Sequence, residues 1–197
     1  SPRQGGIIEL EFFKERYATL PDFEYYIQSW DTAFKVEQSN DYSVCTTWGI
    51  FNGFYYLVEV LRVKLKYPEL KKLMIRKYID LFPLALLVED KANGQSLIQE
   101  MERPVKDPEN PLKIYKLPIK GMSANDDAVE RVNAITTTLQ TKVLLPIEAP
   151  WLKTYLDELC AFPAAAHDDQ VHSTAHAMIF LAKNSRPKTK NADYFTR

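Results

Sequence analysis

The chain has 197 residues, 46% of them hydrophobic, and its 25 basic and 26 acidic side chains give a formal net charge of −1. This length and composition fit a single folded domain over 1–197, in which we expect 1–20 to be a lead-in or linker and 184–197 a flexible tail. The charge balance excludes a domain that holds nucleic acid by bulk positive charge alone, and the lack of any long apolar run excludes a transmembrane helix.

The first clear element is a strand over Tyr25–Asp31, a run rich in aromatic and other strand-forming residues that ends on a carboxylate. Residues 7–20 before it form either a short helix or an extended segment, and Pro21 separates the two. The polar stretch 32–41 after it predicts a loop. Asp31 is therefore either held rigidly at the end of a central strand or used as a turn residue, as Asp often is.

An antiparallel hairpin is predicted next. Two strand-like runs, 42–51 and 54–63, flank Asn52-Gly53, a dipeptide that favours the positive φ values of a type I′ turn. The end of the second run alternates, with basic side chains on one side. This basic stripe is either a solvated face or a contact for DNA phosphates. It consists of Arg62, Lys64 and Lys66, with Lys71, Lys72, Arg76 and Lys77 close behind.

The middle of the chain alternates between helix and strand. Pro68 marks the start of a helix that runs to Leu81. The continuous apolar run Leu84–Val88 predicts a strand buried on both faces, and it leads directly into Glu89-Asp90. After it we expect a turn over 91–94, a helix over 95–102, a loop over 103–111, a strand over 112–117 and a loop over 118–125.

The last part of the chain is mostly helical, because apolar residues recur there at helical spacing. Together with the strands before it, this pattern predicts an α/β fold. Asp168 and Asp169 fall in the first turn of the final helix, where acidic residues commonly cap the helix. We expect helices over 128–142, 150–161 and 168–183, a strand over 143–146, and Asn125 or Asp126 as the N-cap of the first of these helices.

The two cysteines, Cys45 and Cys160, belong to no CxxC or Cys/His pattern, so the sequence does not predict a zinc site. Both have apolar neighbours along the chain. This context predicts buried, reduced thiols in a cytosolic protein.

Three acidic positions lie at predicted element boundaries, namely Asp31, Glu89-Asp90 and Asp168-Asp169. Like charges within a few ångströms raise one another's pKa, so such groups converge where a cation neutralises them. Mg²⁺ and Mn²⁺ prefer hard oxygen ligands, and two such ions about 4 Å apart can activate a water and stabilise the leaving oxygen of a phosphodiester. Taken singly, each acid fits a turn or a helix cap as well as a metal site.

Four segments in this order resemble the nuclease domain of the large terminase subunit of tailed bacteriophages. The resemblance extends from about Phe23 to about Leu181 and rests on short motifs around the acidic residues. The segments are Ser29–Ala33 with Lys35 and Asn40–Val44; Val88–Gly94; Asp126–Arg131 with Val143–Pro146 and Trp151; and Phe162-Pro163 with His167–Val171.

This resemblance implies an RNase H-like fold, a central mixed β-sheet with an antiparallel hairpin, flanked by helices. It also implies a two-metal endonuclease, using Mg²⁺ or Mn²⁺, that cuts concatemeric viral DNA during packaging. Asp31 would be the ligand on the first strand, Glu89 the preferred second ligand over Asp90, and Asp169 the preferred third ligand over Asp168. Lys91 and His167 would contact phosphate or tune the site, although each also fits an ordinary loop residue.

The implied partners are duplex DNA, an N-terminal ATPase domain of the same full-length chain, the portal and the small terminase subunit, in the cytoplasm of an infected host cell. The sequence contains no GxxxxGK[ST] motif, so it is not a translocation motor by itself, and we expect an isolated nuclease domain. Relatives tend to carry an acid where this chain has His172. By helical periodicity His172 and His176 share a face with Asp169, either as aids to metal binding or as packed residues at the edge of the site.

Two other interpretations stay open. The same fold serves Holliday-junction resolvases and ribonucleases H, which would differ by preferring four-way junctions or RNA–DNA hybrids. A domain of another class, a non-catalytic docking module of a DNA-packaging complex, would show no metal-dependent nicking.

Overall fold

A seven-stranded mixed β-sheet lies at the centre of the computed structural model, which describes residues 6–33, 42–125 and 127–184. The strands are β1 (Arg16–Tyr17), β2 (Tyr25–Asp31), β3 (Ser43–Phe51), β4 (Phe54–Val63), β5 (Ala85–Asp90), β6 (Val105–Lys106), β7 (Ile114–Tyr115), β8 (Ile119–Ser123) and β9 (Val143–Pro146). The helices are α1 (Tyr67–Leu81), α2 (Ala92–Met101), α3 (Ala128–Lys142), α4 (Leu152–Ala161) and α5 (Asp169–Asn184), with a short 3₁₀ helix over Leu10–Phe13. The sheet order is β1-β9-β4-β3-β2-β5-β8, and β6 and β7 form a separate pair.

The predicted hairpin is confirmed. β3 and β4 pair antiparallel on either side of Asn52 and Gly53, whose φ values are 51° and 80°. These left-handed conformations are the ones a type I′ turn requires, and Asn and Gly adopt them at low cost.

β2 lies in the middle of the sheet, antiparallel to β3 and parallel to β5. Trp30 of β2 is in register with Val88 of β5, and parallel strands end at the same edge of a sheet. Asp31 and Glu89, the residues that follow them, are therefore neighbours at that edge.

Two apolar clusters cover the two faces of the sheet. One contains Ala85 and Leu87 and packs under α3, α4 and α5, whereas the other contains Leu86 and Val88 and packs under α1 and α2. The predicted burial of this strand on both faces is confirmed. Because side chains alternate along a strand, Glu89 continues on the α5 face and Asp90 on the opposite one.

The predicted turn over 91–94 is wrong, because α2 begins at Ala92, directly after β5. Gly94 does not make a turn here. A Cβ built on it would lie only 2.1 Å from the Glu89 carbonyl oxygen, so the residue allows the helix to approach the end of the strand closely.

The predictions between 103 and 125 are also wrong in part. Of the expected strand over 112–117, only the two residues of β7 are in a strand, and they pair with β6. The expected loop over 118–125 contains the strand β8. β8 is an edge strand with mostly exposed side chains, so it has no apolar pattern, and its backbone pairing with β5 holds it in the sheet.

Smaller differences concern the ends of the chain and one cap. The predicted lead-in contributes Ile8 and Phe13 to the core, and β1 pairs with β9. The N-cap of α3 is Asp127, neither Asn125 nor Asp126, and its side chain accepts hydrogen bonds from the backbone of Val129 and Glu130. Asp126, Lys35, Asn40, Asp41 and the predicted tail beyond Asn184 lie outside the described residues.

The two thiols differ in exposure, since Cys45 is buried and Cys160 is only partly so. Within the described ranges, no helix has the length and apolar character needed to cross a membrane.

Candidate metal centre

Two buried carboxylates lie side by side at the carboxyl ends of β2 and β5. Asp31 is 6% exposed and Glu89 2% exposed, and they follow Trp30 and Val88, two residues that are paired in the sheet. Burial raises the pKa of Asp31 well above its usual range, and the charges of Glu89 and Asp169 raise it further, against the opposing effect of Lys91. Burial and the neighbouring acids therefore both oppose a negative charge on Asp31 when no cation is bound.

Three cationic or basic groups surround the carboxylate of Glu89. Lys91 Nζ lies 2.6 Å from Oε2, while Arg131 Nη1 and His176 Nε2 lie 3.2 Å and 3.4 Å from Oε1. Burial by itself would raise the pKa of Glu89, but the basic groups around it, with Lys91 in direct contact, outweigh burial and hold that pKa well below the usual range. Glu89 is thus the member of the pair that carries a negative charge more readily.

Helix α5 carries the third acidic position, and two sets of hydrogen bonds fix it over the sheet. The Ser173 hydroxyl donates to the carbonyl oxygen of Ser29 in β2 at 2.8 Å. At the start of the helix, Glu158 of α4 accepts from the backbone N–H of Gln170 at 2.7 Å and from the Gln170 side chain. These contacts place the first turn of α5 beside Asp31.

Asp169, the first residue of α5, and Asp168, which precedes it, have different surroundings. Burial, Glu158 and Asp168 raise the pKa of Asp169, and Asp169 in turn raises that of Asp31. The Asp168 side chain is 50% exposed, and its Oδ2 lies 3.2 Å from His172 Nε2, a contact that lowers the pKa of Asp168. Asp169 therefore interacts with Asp31, whereas Asp168 is more exposed and interacts with Glu89 and Lys91 from the rim of the same cluster.

The structure does not bring Asp90 into this cluster. Asp90 is exposed and follows Glu89 on β5, so its side chain leaves the opposite face of the sheet.

Part of the predicted basic stripe lies near the acids. The Arg62 guanidinium and Lys64 Nζ stack over the Tyr42 ring at 3.8 Å and 4.5 Å from its centroid, and the same ring packs edge-on against His167. Arg62 and His167 lie near enough to Asp169 to lower its pKa. Their aromatic anchor keeps these cations at the rim of the cluster.

The rest of the stripe is arranged differently. Lys66 is exposed and immediately precedes α1, beyond the alternation of β4. The basic residues of α1 are largely neutralised by ion pairs, which are Lys71 with Glu100, Arg76 with Glu109 and Lys77 with Glu59.

Sequence reasoning did not single out Arg131, which contacts Glu89, or Glu158, which holds the start of α5. Arg131 lies four residues before Ile135 in the buried stripe of α3, with only 4% of its side chain exposed. A lone arginine in an apolar helical stripe was the available signal, because an arginine is rarely buried without a partner.

The residues at this edge fit divalent cations. In the part of the chain that the structure describes, no three His, Cys, Asp or Glu side chains already form a group that could hold a metal ion. The donors are hard carboxylate oxygens, however, and the raised pKa of Asp31 marks negative charge that a cation would relieve. Lys91 supplies positive charge to the same group of acids.

The sequence matches the model of one protein family, described as the terminase RNaseH-like domain, over residues 28–180. No curated protein matches it. The fold is similar to the large terminase of a thermophilic bacteriophage, with 14% identity, a TM-score of 0.62, and coverage of 89% of this chain and 43% of that one.

Two separate nuclease domains are similar over nearly their whole length. They are that of the large terminase subunit of bacterial virus Sf6 (10% identity, TM-score 0.59, 88% of this chain and 98% of that chain) and that of the human cytomegalovirus terminase (11% identity, TM-score 0.57, 89% and 93%). Together these similarities show an RNase H-like fold. The chain spans less than half of the thermophilic phage terminase.

Proposed function

The chain belongs to the family of terminase RNaseH-like domains, and we propose that it is a metal-dependent endonuclease that cuts concatemeric viral DNA during genome packaging. The observation that carries this proposal is the convergence of Asp31, Glu89 and Asp169 at one edge of the sheet, although they are far apart in the sequence. Two of these acids are almost completely buried. A buried cluster of like charges is costly for folding, which favours a role in binding cations.

We propose that Asp31, Glu89 and Asp169 hold two Mg²⁺ or Mn²⁺ ions. A structure of the human cytomegalovirus terminase nuclease domain was obtained after soaking with manganese, which supports this choice of metal. Such ions, when bound, supply an activated water and stabilise the leaving oxygen of the phosphodiester. Asp168 can assist from the rim, and the exposed position of Asp90 argues against a principal role for it.

The other residues of the site would neutralise the acids and contact the DNA backbone. Lys91 offsets the charge of Glu89 and, with 52% of its side chain exposed, can also turn towards a phosphate. Arg62 and His167 lie near Asp169, and Lys64 shares the Tyr42 ring with them, so these three would hold the DNA backbone against the acid cluster. These contacts are local, which suits a chain with a net charge of −1.

Replacing both Arg62 and Lys64 by Ala should weaken DNA binding and lower its salt dependence. Each phosphate contact contributes about 0.9 to the slope of log K against log salt, so the slope should fall by about 2. DNA affinity measured at several salt concentrations tests this. Lys153, an exposed lysine on α4, is the matched control, and its replacement should leave the slope unchanged. An unchanged slope in the double variant would remove Arg62 and Lys64 from the DNA-binding surface.

The function itself is tested by incubating the chain with supercoiled plasmid in millimolar Mg²⁺ or Mn²⁺, with EDTA as control. We expect nicking and linearisation with little sequence preference. Preferential cutting of four-way junctions or RNA–DNA hybrids would favour a resolvase or a ribonuclease H. The absence of cutting in either metal would favour a docking module.

The wider setting is proposed on the same family membership. We infer that the chain works with an ATPase domain of the same full-length protein, with the portal and with the small terminase subunit, in the cytoplasm of the infected host cell. The similarity to a region of the longer thermophilic phage terminase supports the first of these partners.

A further inference from the structure

Arg131 links two other buried side chains of the site from the side opposite Lys91. Its Nη1 lies 3.2 Å from Glu89 Oε1 and 3.1 Å from His176 Nε2, and both partners are 2% exposed. Three elements, α3, β5 and α5, thus meet at one guanidinium nitrogen. Lys91 contacts the other oxygen of Glu89, Oε2, from the solvent side.

The donor and the acceptor in the contact between Arg131 and His176 follow from the chemistry of the two groups. A guanidinium has only N–H donors, so His176 Nε2 must be the acceptor and must lack a proton. The ring proton of neutral His176 then resides on Nδ1. Nε2 therefore cannot donate to Glu89 Oε1, and the 3.4 Å between these atoms is a contact of two acceptors that both face Arg131. The two N–H bonds of Nη1 serve one acceptor each.

We propose that Arg131 and His176 are positioning residues that fix the orientation of Glu89 in the nuclease site, an inference that rests on the proposed function. His176 orients the guanidinium, and the guanidinium holds Oε1, so that Oε2 faces the open side of the acid cluster. Lys91 is half exposed and can leave when a cation binds. Arg131 is enclosed and stays in place.

A purely architectural role accounts less well for this arginine. Helix α3 already packs through Val132, Ile135 and Leu139, all of them buried in the core. Burying a guanidinium costs more than burying an apolar side chain of similar size, and the ion pair often does no more than recover that cost. Partners of metal-binding side chains, in contrast, commonly affect metal affinity or activity about 10- to 100-fold.

The test compares Arg131→Met and His176→Leu with wild type in two assays, nicking kinetics and binding of Mn²⁺ alone followed by electron paramagnetic resonance. Both variants should lower kcat and Mn²⁺ affinity by about tenfold or more, with KM for DNA nearly unchanged. Arg131→Lys and His176→Gln, which keep a donor and an acceptor, should recover part of the loss. If Arg131→Met does not fold, the two His176 variants decide.

Two further measurements separate positioning from general stability. Thr174→Val is the matched control on the same helix, because it removes a buried hydrogen bond to Tyr155 that is unconnected to Glu89. It should lower thermal stability and leave kcat and Mn²⁺ affinity unchanged. Nitrogen NMR of the chain, which has only three histidines, should show His176 protonated on Nδ1.

The possible outcomes are distinct. A proton on His176 Nε2 would overturn the inference, as would Arg131 and His176 variants that match wild type or lose no more than Thr174→Val. A wild-type chain that binds Mn²⁺ but does not cut DNA would contradict the proposed function only, and the Mn²⁺ affinities of the variants would still decide the inference. A chain that neither cuts nor binds Mn²⁺ would overturn both.

Discussion

Replacing Asp31 by Asn should reduce nicking of supercoiled DNA by about a thousandfold or more, the scale seen when one member of a catalytic unit is removed. Asp31 ends the central strand β2, is buried, and faces both Glu89 and Asp169. The amide keeps the size of the side chain but loses the charge that a divalent cation requires. The measurement is the nicking rate at saturating Mg²⁺ and Mn²⁺.

Asp90→Asn is the matched control, since it makes the same chemical change one residue from Glu89 but on the opposite face of β5. Its rate should stay within about threefold of wild type, because a surface substitution away from the site usually changes the free energy of unfolding by no more than about 0.5 kcal/mol and removes no ligand. An Asp31→Asn variant that cuts at the wild-type rate, or an Asp90→Asn variant that loses as much activity, would contradict the assignment.

Thermal unfolding in EDTA shows whether Asp31→Asn remains folded. The pKa of Asp31 is raised in the folded chain, so the folded state favours the protonated form. The ionised carboxylate therefore costs stability as pH rises through the folded pKa, and the cost persists above it. The Asn variant escapes this cost and should unfold at a higher temperature than wild type in alkaline EDTA buffer. Added Mn²⁺ should stabilise the wild type more than the variant.

Asp169→Asn should also remove most activity, by about a hundredfold or more, whereas Asp168→Asn should cost less than about tenfold. The reason is the different surroundings of these two side chains at the start of α5. Asp169 adds to the charge felt by Asp31, while Asp168 is half exposed and engaged by His172. Single-turnover nicking rates of the two variants measure this difference directly.

Both substitutions remove one negative charge at the N-terminal end of α5, so each controls for the effect of the other on the helix. Circular dichroism should show the same helix content in the two variants. The reverse order of activities, with Asp168→Asn the more damaged, would make Asp168 the principal ligand and place Asp169 at the rim.

Local chemistry made much of the fold predictable. Asn52-Gly53 specifies its turn through backbone conformations that few other residue pairs adopt. The apolar run before Glu89 similarly predicts a strand that is buried on both faces, because apolar side chains point alternately to the two sides of the sheet. The strand-like runs that lead into Asp31 and Glu89 predicted that both acids lie at the ends of strands.

Other features depended on contacts that a single sequence does not display. β8 is held by backbone hydrogen bonds to β5, which leave no side-chain pattern. Gly94 resembled a turn residue, but it is needed for a close helix–strand approach. The choice between Asp168 and Asp169, and the roles of Arg131 and Glu158, depend on side chains from distant segments.

The most direct measurement is the anomalous scattering of crystals soaked in Mn²⁺. Two peaks coordinated by carboxylate oxygens of Asp31, Glu89 and Asp169 are expected, with Lys91 withdrawn from Glu89. Manganese absent from this edge of the sheet, or bound only to exposed acids such as Asp90, would contradict the claim that these three residues form a two-metal nuclease centre.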